Sequence, residues 1–259
     1  MEIHPASKNQ MRQWRKLRQK KYREREGLYI ISGWNAAKEF LSAAGHLVNE
    51  IIVTETKTAR LNTLNIAQNI PVFTLKVNDF SRLSEEQQPQ GLALVARMQT
   101  FEAVKDPPRE KRLVYLDRIS DPGNLGTIIR SAVWFGLNTL LLSAGSADPF
   151  QPKAVRASAG AIGRMKIYRE MGLPTVKQWI DSGTYSGIAT VIRGGQPAGV
   201  LRDMKNNKII LFLGSEAHGL SSEIRELCRK EISIPRPGFG ESLNLSVASG
   251  ILFYLLGAE

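Results

Sequence analysis

Apolar positions recur along the chain in two periods. Met11, Trp14 and Leu17 stand three apart in a stretch that is otherwise basic or amide-bearing, which predicts a helix docked by one face with its charges around the rest. From Leu28 the pattern changes. Short β-rich runs at 28–31, 50–53, 72–75 and 92–96 are separated by helix-length segments at 35–44 and 59–68, with Gly45 and Pro71 as breakers. This alternation predicts an α/β layer. Residues 105–111, KDPPREK, are polar, proline-stiffened and without period, and read as a linker between residues 1–104 and 112–259.

Beyond the linker the apolar runs lengthen. Residues 113–116, 139–142, 188–192 and 209–213 have the continuous apolar character of strands buried on both faces of a parallel sheet. The clearest helix is 125–135, where Leu125, Ile128, Ile129, Ala132 and Val133 fall at helical spacing, with Asn124 as a fitting cap and Gly136 as a stop. The ten-residue apolar run 247–256 is too short to span a membrane and reads as a core helix.

Composition narrows the function classes. The 259 residues include a single cysteine, Cys228, which excludes a disulfide framework and a cysteine-cluster zinc site, and His4, His46 and His218 lack metal-ligand spacing. No metal is expected. The N-terminus carries no secretory pattern, so the expected compartment is the cytoplasm, with no membrane partner. Net charge is +11, and residues 8–25 hold nine basic residues against one acid, a net +8 in 18 residues. A basic stretch of this density predicts a polyanionic partner, most often nucleic acid, with Arg12, Arg15, Arg18, Lys20, Lys21 and Arg23 as candidate contacts and Arg156, Arg164 and Lys166 as an alternative surface.

Three loops at predicted strand ends carry candidate chemistry. The first runs from Asp117 through Asn124 into the helix bearing Arg130; Arg130 lies off the apolar stripe and can face a ligand or solvent. The second, Gly214 to Ser221, imitates a phosphate loop, but Leu220 stands where that loop needs lysine and Glu216 would repel phosphate. What remains is a glycine turn with a carboxylate, and His218, which can act as a general base or stand as a plain surface-turn histidine. The third, Ile234 to Asn244, has two prolines and two glycines before a helix; Ser242 and Asn244 can serve as plain caps. No dinucleotide fingerprint follows an early strand.

Taken in order, Asn124 with Arg130, then Leu213-Gly214-Ser215-Glu216 with Gly219, then Ile234-Pro235 with Ser242-Leu243-Asn244, the motifs resemble those of the SpoU family of RNA ribose 2'-O-methyltransferases. The N-terminal arm is similar to that family's substrate-binding domain. The resemblance implies a C-terminal knotted (trefoil) parallel-sheet methyltransferase domain, a smaller N-terminal α/β substrate-binding domain, a homodimer through the C-terminal domain, and S-adenosylmethionine held by the second and third loops. It implies Arg130, Asn124, Glu216, Ser242 and Asn244 as catalytic residues, and Leu213, Gly214, Ile234, Pro235 and Leu243 around the cofactor. Ribosomal RNA is favoured over transfer RNA as substrate. Two positions depart from the family pattern: Ala217 stands where glycine is usual, and Ser32-Gly33 where a Glu-Gly pair is common. A non-catalytic RNA-binding factor would need the basic arm without the Arg130, Glu216 and Asn244 trio, and a small-molecule enzyme would not need the arm.

Overall fold

A computed structural model describes residues 2–84, 86–99, 101, 106–204 and 206–257. The expected boundary at 104, and Lys105 where the linker begins, lie outside the described residues. Along the chain run β1 (Ile3–Pro5), α1 (Lys8–Lys16), α2 (Lys20–Glu26), β2 (Leu28–Ser32), α3 (Trp34–Ala44), β3 (Val48–Thr54), β4 (Val72–Leu75), α4 (Val77–Leu83) and β5 (Leu92–Arg97). These are followed by β6 (Arg112–Leu116), α5 (Pro122–Trp134), β7 (Thr139–Leu142), α6 (Pro152–Ser158), β8 (Lys166–Tyr168) and α7 (Leu173–Asp181). The remainder is β9 (Ser186–Thr190), β10 (Gln196–Pro197), β11 (Ile209–Leu213), α8 (Ser222–Leu227), β12 (Lys230–Ser233) and α9 (Leu245–Gly257).

Two compact units form. The N-terminal unit comprises Met1–Met98 together with Asp148–Arg164, and the C-terminal unit comprises Gln99–Ala147 and Met165–Glu259. Residues 148–164, which sequence reading leaves inside the C-terminal stretch, thus pack with the N-terminal unit. The reason is local. Phe150 is buried against the Tyr29 ring at 4.9 Å between centroids, and a β-carbon on Gly160 would come within 2.4 Å of the Ala36 carbonyl.

The N-terminal sheet has order β1-β4-β3-β5-β2, parallel across β1, β4 and β3 and antiparallel at β5. Its basic arm is docked as the apolar spacing predicts: Trp14 and Leu17 are buried, Met11 packs against the same cluster, and the Trp14 indole donates to Glu50 at 2.6 Å. The arm is two helices. α1 stops at Leu17 and α2 ends at Gly27 in the left-handed region. The helix expected at 59–68 is instead a 3-10 stretch, Glu55–Thr63, followed by irregular chain. Threonines and asparagines there compete for the backbone hydrogen bonds that a helix needs.

The C-terminal sheet is wholly parallel, in order β10-β12-β9-β11-β6-β7-β8. Val114, Leu116, Ile188, Ile210, Phe212 and Leu141 are buried, as expected of strands covered on both faces. Residues 113–116, 139–142 and 209–213 fall within strands. The 188–192 run is displaced, because the strand begins at Ser186 and ends at Thr190. α9 departs from the core helix expected of it: Ser249, Leu252, Phe253 and Leu256 are buried, whereas Val247, Ile251 and Tyr254 are exposed. No described helix is long and apolar enough to cross a membrane.

Candidate active site

Because β6, β11, β9 and β12 are parallel neighbours, their carboxyl ends share one edge of the sheet. The loops after Leu116, Leu213 and Ser233 therefore open on that edge, where ligands of open α/β sheets bind. Each loop is built by local rules.

In the first loop, Asp121 and not Asn124 caps the helix: its carboxylate accepts from the Asn124 backbone N–H at 2.8 Å, with Pro122 in the first turn. The Asp-Pro pair is the sequence signal for this start. Relieved of capping, the Asn124 side chain projects outward, its Nδ2 donating to Glu216 Oε1 at 2.6 Å and its Oδ1 accepting from Asn244 Nδ2 at 3.1 Å. Asn244 Oδ1 in turn accepts from the Ser246 and Val247 backbone N–H groups at 2.9 and 3.4 Å, capping α9. The chemistry fixes both amide orientations. A carboxylate only accepts, so Asn124 must show it N–H; backbone N–H groups only donate, so Asn244 must show them oxygen. One residue from each of the three loops is thereby joined in a single chain of hydrogen bonds. Asn244 is both a cap and a member of the site.

The second loop closes on itself. Gly219 N–H donates to the Ser215 carbonyl at 2.9 Å and Gly219 has φ +65°. A β-carbon at Gly214 would lie 2.1 Å from the Gly219 carbonyl carbon, so the glycine is required by the returning strand of its own loop. A valine there would break the loop, and lost ligand binding by such a variant would not by itself locate a ligand. Asp117, buried at the end of β6, accepts from Ser221 N–H at 3.4 Å and pairs with the Arg118 guanidinium at 3.3 Å, tying the first loop to the second. Sequence reasoning did not assign Asp117 or Ser221 a role; a polar residue directly after an apolar strand was the available signal. Burial, reinforced by the Asp117 charge, pushes the Tyr115 phenol up to about 12, and it stays a neutral donor to the Met171 carbonyl.

The other expected residues are placed less closely. Arg130 is exposed on α5, six residues and thus about 240° of helical rotation beyond Asn124, outside the hydrogen-bonded chain. Ser242 is exposed and also stands outside it. Leu213 is buried, Gly214 and Ile234 are partly buried, Pro235 is exposed and Leu243 is 50% exposed. In the N-terminal unit Arg12, Arg15, Arg18, Lys20 and Lys21 are exposed. Arg23 is a correction to the expected RNA face. Only 3% exposed, it donates to the Leu17 and Arg18 carbonyls and to Asp148 at 2.6 Å, so its charge is held inside the unit.

Known proteins are similar to the chain over nearly its whole length. Residues 111–254 match the SpoU rRNA Methylase family and residues 8–94 match the MRM3-like substrate binding domain. The chain is 29% identical to the 23S rRNA (guanosine(2553)-2'-O)-methyltransferase RlmP of Bacillus subtilis, over 98% of each. A putative RNA methyltransferase of the TrmH family from Porphyromonas gingivalis superposes with TM-score 0.82 at 32% identity, covering 97% of this chain and 98% of that one. An AdoMet-bound rRNA methyltransferase from Sinorhizobium meliloti shares the fold, with TM-score 0.83 at 24% identity over 98% and 97% of the two chains. With a family match across more than half its length and the family's three motif loops gathered on one sheet edge, the chain belongs to the SpoU rRNA methylase family.

Proposed function

We propose that the protein transfers the methyl group of S-adenosylmethionine to a ribose 2'-hydroxyl of ribosomal RNA in the cytoplasm, working as a homodimer. The observation that carries this reading is the Asn124–Glu216–Asn244 hydrogen-bonded chain at the carboxyl edge of the parallel sheet. A relative named as a 23S rRNA 2'-O-methyltransferase supports the choice of RNA and of atom. The division into an RNA-binding part at 1–104, a linker at 105–111 and a methyltransferase part at 112–259, with a knotted C-terminal path, belongs to the same reading.

The residues present suit a nucleoside with a cationic centre. Leu243 and Ile234 offer apolar surface, the turn from Gly214 to Gly219 offers backbone groups, and Glu216 offers a carboxylate of which Asn124 engages one oxygen. When bound, S-adenosylmethionine supplies a methyl group on a positively charged sulfur. The protein has to align the hydroxyl, draw off part of its proton and stabilise the developing oxyanion. Arg130 serves as the clamp on a phosphate or the oxyanion; a guanidinium carries only hydrogen-bond donors and is not a proton acceptor. Asn124 holds Glu216 in position, and Asn244 holds Asn124. Ser242 adds a hydroxyl at the same rim, while Leu213, Gly214, Ile234, Pro235 and Leu243 line the adenosyl side.

The test is methylation of unmodified ribosomal RNA with tritiated S-adenosylmethionine. Wild-type protein is expected to label a ribose 2'-oxygen. Arg130→Ala is expected to lose at least 100-fold in kcat, the order of one oxyanion donor, with cofactor Kd unchanged by calorimetry. Near-wild-type turnover by this variant would remove Arg130 from the mechanism.

A further inference from the structure

The third loop carries a side chain that neither the hydrogen-bonded chain nor the adenosyl walls use. Phe239 is 108% exposed, its ring wholly in water. A side chain that buries nothing adds no hydrophobic stabilisation to the fold. The backbone beneath it is constrained at several points. Pro235 and Pro237 each lock φ near −65°, Gly240 has φ +121°, and the Arg236 guanidinium donates to the Gly240 carbonyl across the tip. Phe239 stands between Gly238 and Gly240, and a β-carbon at either would meet no atom within 4 Å, so the chain on each side of it is uncrowded. An aromatic side chain has only two rotatable bonds, so it loses little side-chain entropy when something settles on it.

Position limits what that can be. Asn244 follows Phe239 by five positions, and at about 3.3–3.6 Å per residue their α-carbons lie no more than about 18 Å apart. A ring so placed can reach the nucleotide at the Asn124–Glu216–Asn244 chain or one of its near neighbours. An aliphatic side chain would serve to wall a cofactor, whereas a fully open aromatic face is what an unpaired base stacks on.

We propose that Phe239 is a stacking platform for an unpaired nucleobase of the substrate RNA, at or beside the nucleotide whose ribose is methylated. The inference rests on the RNA 2'-O-methyltransferase reading and adds to it a binding site for a base. Phe239→Leu keeps apolar bulk and removes the π face; Phe239→Trp enlarges that face and reports on it. With an unmodified 23S rRNA transcript, Phe239→Leu is expected to raise the RNA KM on the order of tenfold with kcat nearly unchanged. Phe239→Trp is expected to match wild type, and cofactor Kd to stay constant in both. Tryptophan fluorescence of Phe239→Trp should be quenched by an adenosine 12-mer, with no such change in wild type. An unaltered KM in Phe239→Leu together with no quenching overturns the proposal, and so does a changed sedimentation coefficient in Phe239→Leu, which would assign the ring to contact between copies. Quenching with a wild-type enzyme that labels no RNA would keep the stacking site and remove the methyltransfer reading instead.

Discussion

The Arg23 guanidinium reaches two backbone carbonyls and the Asp148 carboxylate from a site that water barely enters, and its Nε is left without a partner among the described residues. A buried ion pair offers little net gain over an apolar pair, but removing one member strands the other charge, at about 3–5 kcal/mol. Arg23→Ala should therefore lower the unfolding free energy by about 3 kcal/mol, read as an earlier urea midpoint with unchanged slope. Arg23→Lys should fall between, because an ammonium cannot span three acceptors in a planar fork. A loss below about 1 kcal/mol would show that Asp148 finds water instead. The sequence count that made this arginine one charge among nine carries no mark of its burial. Asn124 presents the reverse case: its type and place were legible, while its release from capping by Asp121 depends on a hydrogen bond that only coordinates display.

Among the elements, the arm shows what periodicity conveys. Met11, Trp14 and Leu17 at three-residue spacing fix which face of α1 docks, and hence that Arg12 and Arg15 look outward. Each basic side chain that engages a phosphate releases counterions, so replacing Arg15, Arg18 and Lys21 with alanine should weaken RNA binding. It should also flatten the slope of log K against log salt by roughly 0.7–0.9 for each phosphate no longer engaged, while S-adenosylmethionine affinity holds. An unchanged slope would make these charges a solvated face and turn attention to Arg156, Arg164 and Lys166. Apolar runs marked β6, β7 and β11 well, since strands buried on both faces need little else. Short or polar strands such as β8 and β12 carry too few apolar residues to stand out, and their place follows from parallel partners far away in sequence. The three site loops were legible as glycine- and proline-bearing strand exits. That Asn124, Glu216 and Asn244 meet was legible only through family resemblance, because hydrogen bonds spanning 92 and 120 residues of sequence leave no local trace.

At the scale of the whole molecule, α9 poses the last question. It contains no charged residue, and although Ser249, Leu252, Phe253 and Leu256 are covered, Val247, Ile251 and Tyr254 at i, i+4 and i+7 form an apolar stripe open to water. The stripe continues through the Phe135–Tyr254 ring contact, 5.9 Å between centroids, toward Trp134, which is 83% exposed on the last turn of α5. A helix apolar on all sides normally has all sides covered, and a contiguous patch of large apolar side chains marks an association surface. A second copy of the chain suits this one. Residues 8–25 hold +8 of the +11 net charge, which leaves only +3 on the other 241 residues, so copies meeting through α9 face little local repulsion. Sedimentation equilibrium at micromolar concentration should give twice the mass of one chain. Ile251→Asp should give a single-chain mass with an unchanged circular dichroism spectrum, since the residue is already partly exposed and the substitution strands a carboxylate only when a partner covers it. Because the interface is apolar, the dimer should persist at 1 M salt, where the Debye length falls to about 3 Å and RNA binding is lost. A wild-type protein that sediments as one chain would sink the homodimer and leave the α9 stripe to a partner of different sequence.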